Sequence, residues 1–118
     1  MDNNKSPQNS FSTKKKPSVI ALDQGRIPPQ VISFEEAVLG AVLIDNGAIN
    51  SVIDILSPES FYKTQHALIF KTVKELFGRS EPVDILTVAH ELRQNGELEA
   101  SGGEQYLIEL SNKVSSSA

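Results

Sequence analysis

The segment TQHALIFKTVKELFG, residues 64–78, places His66, Ile69, Phe70, Val73, Leu76 and Phe77 on one stripe of a 3.6-period helix. Gly78 stands where a left-handed C-terminal residue is wanted. No other stretch of the chain signals helix as strongly, and its flanks extend the pattern. Upstream, Ser57-Pro58-Glu59 predicts a capped turn with Pro58 at the first helical position, where a missing N–H does no harm, and with Phe61 and Tyr62 as its anchors. Downstream, Asp84 is placed to cap a helix whose Ile85, Val88, Ala89 and Leu92 face inward and which Gly96 stops.

The same reading carries to both ends. Pro28-Pro29 predicts an extended segment that holds back helix formation, and Ser33 with Glu36 has capping-box spacing, so a helix is expected from about Phe34 to Ile44. Val38, Leu39, Ala41, Val42, Leu43 and Ile44 make it apolar almost all round, the pattern of a centrally buried helix. Gly40 in its middle costs roughly 1 kcal/mol of propensity relative to Ala, which predicts a second backbone passing close by. Asp45-Asn46-Gly47 signals a turn, followed by a second amphipathic helix carrying Ile49, Val52, Ile53 and Leu56. Ser101 and Glu104 repeat the capping-box spacing ahead of Tyr106, Leu107 and Leu110, with Val114 as a further candidate, in a helix expected to end near Asn112 or Lys113. Leu98 to Ala100 offers scope for a short β-extension, but no run alternates long enough to argue for a sheet. The fold class is all-α, a compact bundle of about five to six short helices.

Composition agrees with one such domain. The 118 residues are 39% hydrophobic and 22% charged, enough apolar material for one core. Apolar runs are broken long before the roughly 20 residues needed to span a bilayer, there is no secretory h-region, and cysteine is absent, so a cytoplasmic setting without membrane contact is expected. Charge is divided unevenly. Residues 1–32 hold five bases and two acids, a net +3, whereas residues 33–118 hold six bases and thirteen acids, a net −7. Residues 1–27 are expected to form a disordered basic tail around Lys14-Lys15-Lys16, residues 28–114 the helical domain, and residues 115–118 the start of a linker. A body of that sign repels a phosphate backbone.

Catalytic chemistry is not assembled in this pattern. No Gly-rich loop ends in Lys-Ser or Lys-Thr, and Gly102-Gly103 is too short to cradle phosphates. His66 and His90 are followed four residues later by Phe70 and Gln94, not by a second ligand. His66 on the apolar stripe is expected half-buried against a backbone carbonyl, and His90 exposed. The acid pairs Glu35-Glu36 and Glu97-Glu99 are expected on solvated faces or at helix starts. No catalytic, cofactor-binding or metal residue is assigned.

Four stretches in fixed order carry a resemblance: Pro28-Pro29-Gln30 with Glu35 and Val38-Leu39-Gly40; Phe61-Tyr62 with His66, Ile69 and Phe70; Pro82-Val83-Asp84 with Ala89, Glu91 and Leu92; and Gly96, Leu98, Gly102-Gly103, Tyr106-Leu107 and Leu110. Together they resemble the N-terminal domain of the bacterial replicative DNA helicase, the DnaB family, over Pro28 to Leu110. The departures are Ser60 and Ser33, where the family often has acids. The resemblance implies a helical head on a hexameric ring whose separate motor domain uses ATP and Mg and moves on single-stranded DNA. It implies other helicase subunits, a DnaG-type primase and loader or initiator proteins as partners. The pairing hairpin and the ATPase domain lie beyond this stretch in the family, so the chain is expected to have no ATPase activity and to be a monomer or weak dimer. The rival reading is a winged-helix or helix-turn-helix DNA binder built on residues 85–92, the Asn95-Gly96 turn and the helix after Gly102. It needs a basic recognition helix, where this sequence offers Glu104 and Glu109 with only Lys113.

Overall fold

The computed structural model describes residues 27–117, with side chains as far as Ser115. The expected basic tail and Lys14-Lys15-Lys16 lie outside the described residues. The chain divides into a unit Met1–Val31 and a unit Ile32–Ala118, and the second contains the packed body. Among the described residues there are five α-helices and one 3₁₀ turn, and no strand.

Helix α1 spans Pro29–Ile44. It begins five residues before the expected Phe34, because the fixed φ and missing N–H of Pro29 suit a first helical position; the proline pair opens this helix instead of delaying it. Ser33 and Glu36 therefore sit inside α1 and cap nothing. Asp45 ends the connection and caps α2 (Asn46–Val52), its side chain accepting the Gly47 N–H at 2.9 Å. Helix α2 is shorter than its apolar spacing predicts: Ile53 closes it, and Leu56 lies past the turn formed by residues 53–55. The 3₁₀ turn Pro58–Ser60 follows Ser57 as expected, with the Ser57 N–H donating to Ser60 Oγ at 3.0 Å.

Helix α3 (Thr64–Gly78) is central and packs against both the 3₁₀ turn and α4 (Ile85–Gln94). Its end corrects the sequence reading. Gly78 is still helical, and the left-handed position falls on Ser80 at φ 59°, while the Glu81 N–H reaches back to the Leu76 carbonyl at 2.9 Å. Phe77 lies on the edge of the stripe and is partly exposed. Asp84 caps α4 as expected: its carboxylate accepts the Thr87 N–H and Thr87 Oγ1 accepts the Asp84 N–H, both at 2.9 Å. Gly96, at φ 71°, ends the helix region.

Helix α5 (Gly103–Ser117) has no capping box. Ser101 is buried and donates its hydroxyl to the Leu98 carbonyl at 2.7 Å, and the helix is entered through Gly102 and Gly103, both at positive φ. Residues 98–102 are turns, not a β-extension. The helix runs to Ser117, past the expected end near Lys113, and Val114 explains why: a Cβ built on Gly40 would meet Val114 Cγ2 at 2.5 Å and the Leu110 carbonyl oxygen at 2.3 Å. The backbone that Gly40 was expected to admit is thus the last two turns of α5.

The core is formed by Leu39, Val42 and Leu43 of α1, Ile69, Phe70, Val73 and Leu76 of α3, Val88 and Leu92 of α4, and Leu107 and Leu110 of α5. Phe61 closes one side, with its ring 5.1 Å from that of Phe70. Tyr62, expected as a second anchor, is instead 55% exposed. Helix α1 is also not buried all round. Leu39, Gly40, Val42 and Leu43 face the core, whereas Phe34, Ala37 and Ile44 are exposed.

Candidate functional site

The most organised polar feature is a buried chain of side chains joining α1, α3 and α5. Glu35 lies one helical turn from Leu39 and two from Val42, on the inward face of α1, and is only 5% exposed. Its carboxylate accepts the backbone N–H of Tyr62 at 2.5 Å, and Lys63 N stands 3.5 Å away. His66, fully buried in the first turn of α3, places Nδ1 2.6 Å from Glu35 Oε1 and Nε2 2.6 Å from the hydroxyl of Tyr106 in α5. The planes of the His66 and Tyr106 rings are within 6° of parallel, with centroids 5.8 Å apart.

Proton positions follow from the partners. A carboxylate only accepts, so His66 Nδ1 carries a hydrogen toward Glu35; in the neutral ring Nε2 then accepts from the Tyr106 hydroxyl. Burial, with the negative charges of Glu36, Glu109 and Glu35 nearby, pushes the Tyr106 phenol up to about 12. Lys63 Nζ lies over the Tyr106 ring, 5.5 Å from its centre. Gly102 completes the site from below: its φ is +105°, and a Cβ there would stand 2.8 Å from Tyr106 Cβ.

Two sequence expectations are corrected here. His66 is fully buried, not half-buried, and its partners are a carboxylate and a phenol in place of a backbone carbonyl, because Glu35 is on the core face of α1 and not on a solvated one. Both ring nitrogens are already engaged by protein groups. Its chemistry is that of a cross-brace: three helices are tied through hydrogen bonds whose rupture would strand buried donors.

The other singled-out residues stand apart. His90 is exposed on α4, beside Gln94 Nε2 at 3.3 Å. Glu36 pairs with Lys113 at 2.9 Å, linking α1 to α5. Glu97 accepts from Lys71 at 2.8 Å, a bond that holds the lysine above its ordinary pKa. Glu99 is exposed. Arg79 bridges Glu81 and Glu91, which raises the guanidinium further and lowers Glu81 below the usual carboxylate range. Among the described residues, no group of three or more His, Asp or Glu side chains could hold a metal ion. No helix among them is long and apolar enough to cross a membrane.

This arrangement of helices and the residues that brace it can be set beside known proteins. Residues 27–118 match the sequence profile of the DnaB-like helicase N terminal domain. The chain belongs to that family. Curated relatives include the replicative DNA helicase DnaB of Rhodothermus marinus, 49% identical over 94 residues, covering 80% of this chain and 10% of the relative. The replicative DNA helicase DnaB of Geobacillus stearothermophilus is 46% identical over 93 residues, covering 79% and 20%. The chain thus spans a tenth to a fifth of the length of these relatives. Among solved structures, the N-terminal domain of DnaB helicase from Mycobacterium tuberculosis superposes with a TM-score of 0.68 at 40% identity, over 72% of this chain and 59% of that one. Glu35, His66, Gly102 and Tyr106, which carry the DnaB resemblance in the sequence, are here the cross-brace and its support.

Proposed function

We propose that this chain is the non-catalytic head of a hexameric, ATP-dependent replicative DNA helicase, working in the cytoplasm as part of the ring collar and as a docking surface for a DnaG-type primase and for loader or initiator proteins. The observation that carries this reading is the match of residues 27–118 to the helicase N-terminal domain, combined with relatives that are several times longer. In this reading ATP, Mg and single-stranded DNA belong to a motor region outside the matched stretch. A braced all-α body suits docking, because a surface already ordered before encounter loses less entropy on association.

Calorimetric titration of the purified chain with primase from the same organism tests it, with saturable binding as the expected result. Absence of binding under conditions where the full-length helicase binds primase overturns the docking role. ATP hydrolysis by the purified chain overturns the non-catalytic assignment. Nothing favours the helix-turn-helix alternative: α5 presents Glu104 and Glu109, and the described residues contain no strand to form a wing.

A further inference from the structure

Asparagine is followed by glycine at two places, Asn46-Gly47 and Asn95-Gly96, and the fold treats the two pairs differently. Such a pair is prone to a spontaneous reaction within its own chain, because a glycine has no side chain to keep its backbone nitrogen from the neighbouring carboxamide. The nitrogen must give up its hydrogen, and the backbone must move. At Asn46 both are opposed. The Gly47 N–H is donated to the Asp45 carboxylate at 2.9 Å, and a Cβ built on Gly47 would stand 3.4 Å from Asp45 Oδ1. A bond of this charge-assisted kind is roughly twice as strong as a neutral one, and the carboxylate repels the anion that deprotonation would create. At Asn95 both obstacles are weaker. Asn95 follows the last residue of α4, at φ −88° and ψ 0°, and both it and Gly96 are exposed. A Cβ on Gly96 would meet nothing within 4 Å, so the space around its nitrogen is open. Its N–H is donated to a neutral acceptor, the Arg93 carbonyl, at 3.1 Å, in a terminal turn of the kind that opens at little cost.

We propose that Asn95-Gly96 is a site of one-way spontaneous modification in the folded chain. The Gly96 nitrogen attacks the side-chain carbonyl carbon of Asn95. The new C–N bond closes a five-membered imide, the nitrogen's proton leaves with the amide group as ammonia, and no electrons are gained or lost. Water then opens the ring. Breaking the bond from nitrogen to the side-chain carbon leaves an aspartyl residue; breaking the bond to the main-chain carbon leaves an isoaspartyl residue, whose backbone carries one extra methylene. Either product adds a carboxylate, taking residues 33–118 from −7 to −8, at a helix C-terminus where the dipole favours cations. The isoaspartyl form also lengthens a closure built to fit. The Gly96 N–H to Arg93 and the Glu97 N–H to Leu92, at 3.1 and 2.8 Å, are the two bonds of a Schellman end, and Glu97 in turn holds Lys71 at 2.8 Å. The modification therefore loosens the segment that leads from α4 to Gly102 and its contact with Tyr106.

The whole 118-residue chain tests this by incubation in warm, mildly alkaline buffer followed by tryptic mass mapping. The peptide of residues 94–113 should gain one mass unit, placed on Asn95 by fragmentation. The peptide of residues 27–63 should gain it at Asn46 about tenfold more slowly, the ratio set by a barrier about 1.4 kcal/mol higher. An endoproteinase that cuts before aspartate should cleave the aspartyl product and spare the isoaspartyl one. Aged chain should melt at lower urea than fresh chain and than Asn95→Asp, which carries the charge without the methylene; an unchanged midpoint overturns the loosening. Asp45→Ser, which keeps an uncharged cap, should speed conversion at Asn46 and leave Asn95 unchanged, with circular dichroism checking that helix content is kept. If residues 94–113 keep their mass in the folded chain yet convert in urea, the fold guards Asn95 and the proposal is overturned. It is overturned equally if Asn46 keeps pace with Asn95, or if Asp45→Ser converts no faster at Asn46.

Discussion

At the scale of single residues, the Glu35 to His66 to Tyr106 chain decides how polar groups are tolerated inside a small core. Glu35→Ala would remove the acceptor for the Tyr62 N–H and for His66 Nδ1, stranding two inward donors, and should cost about 2–4 kcal/mol in urea melts. Tyr106 gives a pH test with a definite sign. Its folded-state pKa is raised to about 12 by burial, so above its ordinary value of 10 the unfolded chain releases the phenolic proton while the folded chain keeps it. Stability is therefore fully present below pH 10 and falls as pH rises toward 12. Absorbance titration at 295 nm should show a phenol ionising near 12 that disappears in Tyr106→Phe; a Tyr106 signal near 10 would contradict the burial argument. This brace was only half legible in the sequence. His66 stood on an apolar stripe, and Glu35 shares a face with Leu39 and Val42, but no local spacing announces a partner 31 or 40 residues away. Glu35 looked solvated because its neighbour Glu36 is an acid too, although consecutive residues point to different sides of a helix.

At the scale of elements, what could be read were the signals that act within a few residues: the Asp84 cap, the Ser57-Pro58 start and the Gly96 stop all stand where their chemistry placed them. Boundaries set by tertiary contact were not legible. The end of α5 depends on Val114 meeting Gly40, 74 residues away in the chain, and this gives a test with an inverted sign. Gly→Ala inside a helix ordinarily stabilises by roughly 1 kcal/mol, but a Cβ at residue 40 would overlap the Leu110 carbonyl, so Gly40→Ala should destabilise by about 1–3 kcal/mol. The end of α3 supplies the opposite case. Ser80 holds φ at 59°, a conformation in which a side chain is strained, and no Cβ is needed there for the core. Ser80→Gly should stabilise by about 1 kcal/mol in the same melts.

At the scale of the whole molecule, charge governs which partners the surface accepts, and the ion pairs sharpen what net charge alone implies. Of the six bases in residues 33–118, Lys71, Arg79, Arg93 and Lys113 are each engaged by a glutamate, so few cations are left to meet a phosphate. Lys63 stands over the Tyr106 ring. The body should therefore show no binding to duplex or single-stranded DNA at physiological salt by fluorescence anisotropy. Any weak binding at low salt should come from residues 1–26, where Lys14, Lys15 and Lys16 are concentrated. Three phosphate contacts predict a shallow salt dependence, with a slope of about −3 or less in log–log form, and deleting residues 1–26 should remove the binding altogether. If the shortened chain bound DNA as well as the full one, the acidic body would have to own a phosphate site, and its role as a protein-docking head would need to be replaced by one in which it touches the nucleic acid directly.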